Sequence, residues 1–144
     1  MSTDAFDEMF AGRGRKPFTD RAGRADDFAS NRPTDGSYRP YGFLPASGIS
    51  QVCEVSYWMD HTDVAEGIAF QYRFLMSVRY TGHDELRLML PDCVVVIEGH
   101  KLGDLRERLG RQQVTFIQEY SPRVWPTPPP GDAPVVLKVR VVKG

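Results

Sequence analysis

Ile68-Ala-Phe-Gln-Tyr-Arg-Phe-Leu-Met-Ser-Val-Arg-Tyr80 is the stretch on which the reading of this chain turns. Every second residue is large and apolar: Ile68, Phe70, Tyr72, Phe74, Met76, Val78 and Tyr80. Between them stand Ala69, Gln71, Arg73, Leu75, Ser77 and Arg79, smaller or polar apart from Leu75. Side chains of a strand alternate between its two faces, so the pattern predicts one long strand with one buried face. Its thirteen residues exceed the usual strand length, so it is expected to bend and serve two parts of a sheet or barrel.

Other strands line up on either side. Gln51 to Met59 holds Val52, Cys53, Val55, Tyr57 and Trp58, a first strand, and Asp60 to Gly67 is a polar connection. Thr81-Gly-His-Asp-Glu85 is a hairpin-length loop, followed by Leu86, Leu88 and Leu90 alternating with Arg87 and Met89. Cys93-Val-Val-Val-Ile-Glu98 is apolar on both faces and reads as a central strand. Asp104 is a candidate N-cap and Gly110 a candidate terminal glycine for a short helix carrying Leu105 and Leu109. Its spacing pairs Asp104 with Arg108 and Glu107 with Arg111. Val114 to Tyr120 and Val135 to Val142 complete the strands, the last with Val135, Leu137, Val139 and Val141 inward and Val136 and Val142 outward. A proline-rich loop, Ser121 to Pro134, separates them.

The element order is thus four strands, a helix and two strands, behind an irregular arm. Short turns favour an antiparallel meander. The expected fold is mainly β (α+β): a small antiparallel, partly open β-barrel, OB-like or Sm/SH3-like, with one short helix. Domain limits are expected at 1–48 for the arm and 49–144 for the barrel-like domain. Within the arm, Asp4 to Ala11 suggests a two-turn amphipathic helix, with Phe6, Met9 and Phe10 on one face. Two turns are too short to stand alone in water. Tyr38-Arg-Pro-Tyr-Gly-Phe-Leu-Pro45 is too aromatic for a linker and is expected to lie extended across a surface.

Bulk properties bound the function. The chain has 144 residues, a 41% hydrophobic and 26% charged composition, and a net charge of −1. That is one domain's worth with an ordinary globular balance. No run approaches the roughly 18 apolar residues of a membrane span. The N-terminus lacks the pattern of a secretory signal. Cys53 and Cys93, forty positions apart, form neither a disulfide framework nor a metal knuckle. A reduced, cytoplasmic protein is expected. Arginine outnumbers lysine fourteen to four, a hint of a GC-rich bacterial genome. The charge is uneven: residues 51–100 carry three Arg against eight acids, and residues 101–144 eight cations against four acids.

Familiar catalytic motifs are absent, including the nucleophile elbow, the metalloprotease helix and the phosphate loop. No cofactor is expected. The residues that remain support three classes of function. Phe6, Met9, Phe10, Tyr38, Tyr41, Phe43 and Trp125 are recognition-type residues for a protein partner or a second copy. They make a non-enzymatic interaction or assembly module, docking through the arm, the leading expectation. Arg13, Arg15, Lys16, Arg21, Arg24, Lys101 and Arg106 are cations that could neutralise phosphates, the nucleic-acid alternative. Against it, the aromatics of 68–80 all fall on the expected core face, which leaves none for stacking. Asp60, His61 and Asp63 combine carboxylates and an imidazole, the weakest expectation, a metal-assisted enzyme.

Overall fold

The computed structural model describes residues 37–45 and 47–144. They form a mainly β unit of two four-stranded sheets and one short helix, with no closed barrel among the described residues. The strands in chain order are β1 (Tyr41–Phe43), β2 (Val52–Trp58), β3 (Ala65–Gln71), β4 (Ser77–Thr81), β5 (Glu85–Met89), β6 (Cys93–His100), β7 (Val114–Gln118) and β8 (Val135–Lys143), with helix α1 (Gly103–Gly110) between β6 and β7. One sheet runs β1-β7-β2-β3 and the other β4-β5-β6-β8. All pairings are antiparallel except β2 with β7, which is parallel and so departs from the expected meander. The chain reaches β7 only after building the second sheet and the helix, and that long excursion permits a parallel return.

The stretch 68–80 is not one strand. Tyr72–Phe74 form a single 3-10 turn, so β3 ends in one sheet and β4 begins in the other. Phe70 and Tyr72 are buried, but Phe74, Met76 and Tyr80 are 46%, 70% and 56% exposed. The alternation continues through the turn in sequence while the backbone stops alternating, and this corrects the expectation of a single buried face. The bend into two parts of the β structure is as expected.

Between the sheets lies the core, with Cys53 and Val55 from β2, Phe70 from β3, Leu86 and Leu88 from β5, Val95 and Ile97 from β6, and Ile117 from β7. Leu102, Leu105 and Leu109 add the apolar face of α1. The Cys53 thiol is pushed up in pKa by burial, so it is a neutral packing group. Asp104 is not the N-cap of α1 but sits in its first turn, and the left-handed residue after the helix is Gln112 (φ 57°), not Gly110. Asp104 does pair with Arg108 at 2.9 Å, whereas Glu107 and Arg111 do not pair with each other.

A bulge corrects the facing of the last strand. Gly99 lies opposite Val136 and Glu98 opposite Lys138, which leaves Leu137 without a cross-strand partner. One extra residue turns the following side chains over. Leu137 is therefore 48% exposed and Val136 fully buried, the reverse of the simple alternation. From Val139 onward the inward positions are as expected, with Val139 buried and Val141 half-buried.

Residues 37–43, placed by sequence in the arm, belong to the β unit. Tyr41–Phe43 pair with β7, and the Tyr38 hydroxyl accepts a hydrogen bond from the Val136 N–H at 3.0 Å and donates to the Gln118 carbonyl at 2.8 Å. No helix among the described residues is long and apolar enough to cross a membrane.

Gly99 tests the bulge. A Cβ at this position would collide with the backbone carbonyl of Val135, which cannot rotate away as a side chain could. Gly99→Ala is expected to cost about 2–4 kcal/mol in urea unfolding. Gly110→Ala meets nothing within contact distance and should be neutral or slightly stabilising in the same measurement.

Candidate functional site

The two sheets meet at Glu119, one residue beyond β7. Its backbone N–H extends the pairing with β2 by donating to the Ser56 carbonyl at 3.0 Å. The next residue, Tyr120, donates its N–H to the Val136 carbonyl of β8 at 2.8 Å. Within two residues the chain crosses from one sheet to the other. The Glu119 side chain, only 8% exposed, spans the same gap. Its Oε1 accepts from the Trp58 N–H at 3.3 Å and its Oε2 from the Val139 N–H at 2.8 Å. Its own carbonyl accepts from the Trp58 indole Nε1 at 2.8 Å. A buried carboxylate is tolerable when donors fill its lone pairs, and here two edge amides do so.

Above Glu119 opens a cleft of about 510 Å³, bounded on one side by Trp58, Met59, Asp60 and Glu66 of the β2–β3 hairpin and on the other by Lys138 and Arg140 of β8. A smaller recess of about 220 Å³ adjoins it, lined by His61, Ser121 and Arg123 among others. The hairpin turn holds its shape through Met59 N–H to Val64 carbonyl at 3.0 Å, with His61 in the left-handed region (φ 59°). Carboxylates thus stand on one wall and cations on the other. Burial first, then the Glu66 and Glu119 carboxylates, push the Tyr57 hydroxyl up in pKa and keep it a donor at the cleft.

Aromatic packing closes one end. Trp125 of the proline-rich loop meets Tyr38, Trp58 and Tyr120 with ring centroids 5.0, 5.8 and 6.2 Å apart. The Tyr120 hydroxyl donates to the Trp125 carbonyl at 2.9 Å, which ties the loop to the strand. Two of the expected partner-binding residues, Tyr38 and Trp125, are therefore engaged within the chain's own β unit. Tyr41, 8% exposed, donates to Asp104 Oδ2 at 2.6 Å, and Phe43 lies under the Arg108 guanidinium at 3.6 Å. Phe6, Met9 and Phe10, and the cations Arg13, Arg15, Lys16, Arg21 and Arg24, lie outside the described residues.

Lys101 is exposed in the left-handed region (φ 58°) and donates to the Asp132 carbonyl at 2.9 Å. Arg106 stacks over the exposed Tyr80 ring at 4.0 Å, and Arg73 over Phe74 at 4.8 Å. Asp60 lines the cleft and His61 the adjoining recess, but Asp63 lines neither, and no three His, Cys, Asp or Glu residues converge as a metal site among the described residues. Sequence reasoning passed over Glu119. Its signal is a single charge near the end of the otherwise uncharged run Val114 to Tyr120.

No protein-family model, curated protein or solved structure matches this chain.

Glu119→Ala strands two edge amides and is expected to cost about 2–4 kcal/mol in urea unfolding, whereas Glu119→Gln, which can still accept at one oxygen, should cost less. At the helix, burial raises the Asp104 pKa, but the Tyr41 hydroxyl, Arg108 and Arg111 together outweigh it and hold the carboxyl below the usual range. A depressed folded pKa contributes stability above the unfolded value, lost as pH falls through the folded one. Tyr41→Phe should raise the Asp104 pKa in an NMR titration and shrink that acid-side loss of stability.

Proposed function

We propose that this protein is a non-enzymatic protein-interaction or assembly module, a bacterial, cytoplasmic subunit or accessory protein. The observation that carries the reading is the cleft above Glu119 together with the sheet edge beside it. Lys138 and Arg140 of β8 line one wall, β8 is the last strand of its sheet, and large apolar side chains are exposed nearby, Met59 at 43% and Val142 at 49%. A sheet edge with apolar and charged groups beside it is a recurring platform for protein recognition. The arm, with Phe6, Met9 and Phe10, is proposed as a second contact on the partner or on a neighbouring copy. The finer architecture we propose is a partly open barrel, OB-like or Sm/SH3-like. Its support is the Glu119–Tyr120 corner, which hydrogen-bonds to both sheets.

One observation favours a second reading, a nucleic-acid-binding small β-barrel. Phe74 and Tyr80 are exposed, each beneath an arginine guanidinium. This removes the sequence argument that the strand's aromatics are all core. Cation-capped exposed rings are the groups on which single-stranded bases stack.

The readings separate in one comparison. Tagged full-length chain and a variant lacking residues 1–36, which retains β1 and Tyr38, are recovered from cells that make the protein. The interaction reading expects a partner at fixed stoichiometry with the full chain and its loss from the shortened one, with unchanged thermal melting. Identical recovery with both would overturn docking through the arm. Recovery of nucleic acid, with an affinity for single strands that falls steeply with salt, would establish the second reading instead.

A further inference from the structure

The direction of the β8 backbone shows which of its groups are spoken for. The Val139 N–H donates to Glu119 and so points away from β6. The Gly144 N–H donates to the Asp92 carbonyl and so points toward the β6 side. Between them the register of β8 with β6 is unbroken, from Lys138 opposite Glu98 to Lys143 opposite Cys93. In an antiparallel ladder successive residues alternate the direction of their amides. The Val141 N–H and carbonyl and the Lys143 N–H therefore face away from β6, as the Val139 groups do. Tyr120 and Tyr38 cover this edge at Val136, and Glu119 at Val139. Beyond Val139 nothing among the described residues pairs with it.

We propose that the free edge of β8, Val139 to Lys143, takes up an extended acidic segment of a partner protein as an added strand. This names the partner chemistry for the interaction reading above and rests on it. The open rungs are the Val139 carbonyl, both groups of Val141 and the Lys143 N–H, and an extended peptide backbone offers their complements at the same spacing. The Glu119 carboxylate occupies the position a peptide carbonyl would take opposite Val139, so it marks the end of the lane.

Charge selects the occupant. Across this sheet Arg79, Arg87, Val96 and Arg140 stand in one cross-strand row and Thr81, Glu85, Glu98 and Lys138 in the next, with Arg140 and Lys138 on β8 itself. Glu85 neutralises Arg87 at 3.1 Å and Glu98 neutralises Arg140 at 2.8 Å. Lys138 has no ion-pair partner among the described residues, and β8 itself carries Lys138, Arg140 and Lys143 with no acid. An added strand would place alternate side chains beside Lys138, Arg140 and Val142, and acidic groups fit there. Its other side chains would meet Val139, Val141 and the hairpin wall.

Two other occupants fit less well. A second copy pairing β8 antiparallel with β8 would crowd Lys138, Arg140 and Lys143 of both strands along one seam, with no carboxylate on either strand to offset them. A phosphate backbone would meet the Val139 and Val141 carbonyls, which repel it.

The test uses the full-length chain and a fluorescein-labelled peptide, Glu-Val-Glu-Val-Glu-Val-Glu, followed by fluorescence anisotropy. Saturable binding is expected with Kd between about 10 μM and 1 mM. The corresponding Lys-Val peptide should not compete. Val141→Pro removes an N–H that faces away from the sheet, a position where edge strands tolerate proline. It should weaken binding at least about tenfold. Lys138→Glu, on an exposed side chain, should do the same by charge, and its melting curve guards against loss of fold as the cause. Unchanged affinity in both variants, or no binding of the acidic peptide, would overturn strand addition. So would a dimer of the unmodified chain that Val141→Pro dissolves, or competition by oligo(dT) and not by unlabelled peptide. Absent peptide binding alongside partner recovery that still depends on residues 1–36 removes this inference and leaves the interaction reading standing. Failure of both removes both.

Discussion

The fold depends on one buried carboxylate. Two sheets that share a core must be joined where the chain passes between them, and the joint exposes backbone amides that neither sheet's ladder can pair. At this joint the orphaned donors are the N–H groups of Trp58 and Val139, one from each sheet, and Glu119 accepts from both. A neutral side chain with one acceptor would leave an amide unsatisfied, at a cost of about 1–3 kcal/mol in a buried setting. A carboxylate acceptor also makes a stronger bond to an amide than a neutral oxygen does. The Trp58 indole returns a bond to the Glu119 carbonyl, so backbone and side chain are fixed together. The cleft, the placing of Trp125 and the course of β8 all follow from this corner.

The strands were legible in the sequence because period-two alternation survives tertiary context. Residues 93–98, read as apolar on both faces, do lie inside their sheet, in β6 between β5 and β8. Alternation failed where the backbone departed from it without a break in residue type. Tyr72-Arg-Phe74 keeps the apolar-polar-apolar pattern of a strand while forming a 3-10 turn, with no Gly or Pro to announce it. At Leu137 a single unpaired residue reverses the facing of its neighbours, and its marker, Gly99, lies on the partner strand some forty residues away. The first is a local change of backbone conformation, and the second is one of register, which is decided between strands, not within them.

The candidate site was less legible than the fold. Composition found the aromatic segment 38–45 but gave its residues to the arm, whereas the Tyr38 hydroxyl supplies and accepts hydrogen bonds in the gap between β7 and β8. Aromatic residues with polar tips serve equally well in partner recognition and in closing a domain's own seam. Only the partners of each ring distinguish the two, and for Tyr38 and Trp125 those partners are intramolecular. For the cations the reverse holds. Lys138 reads in sequence as an ordinary outward lysine on a strand, and its interest comes from standing beside a cleft and a backbone edge. No local pattern carries that information.

Energetics sets what such an edge can do by itself. Each backbone rung nets about 1 kcal/mol once hydration of the free groups is counted. The four groups open between Val139 and Lys143 therefore contribute on the order of 4 kcal/mol, no more than the low end of the cost of associating two bodies. A strand added at this edge must draw the rest of its affinity from side chains at Lys138, Arg140 and the hairpin wall, or from a second contact elsewhere on the same partner. Tethering through a second contact raises the effective concentration at the edge to the millimolar range. With partner concentrations below the Kd of the isolated segment, the edge would then be largely occupied only when the second contact is made. Weakness of this kind also protects the free protein, because an edge that bound strongly to any extended chain would aggregate, and the cations along β8 set it further against pairing with its own copies.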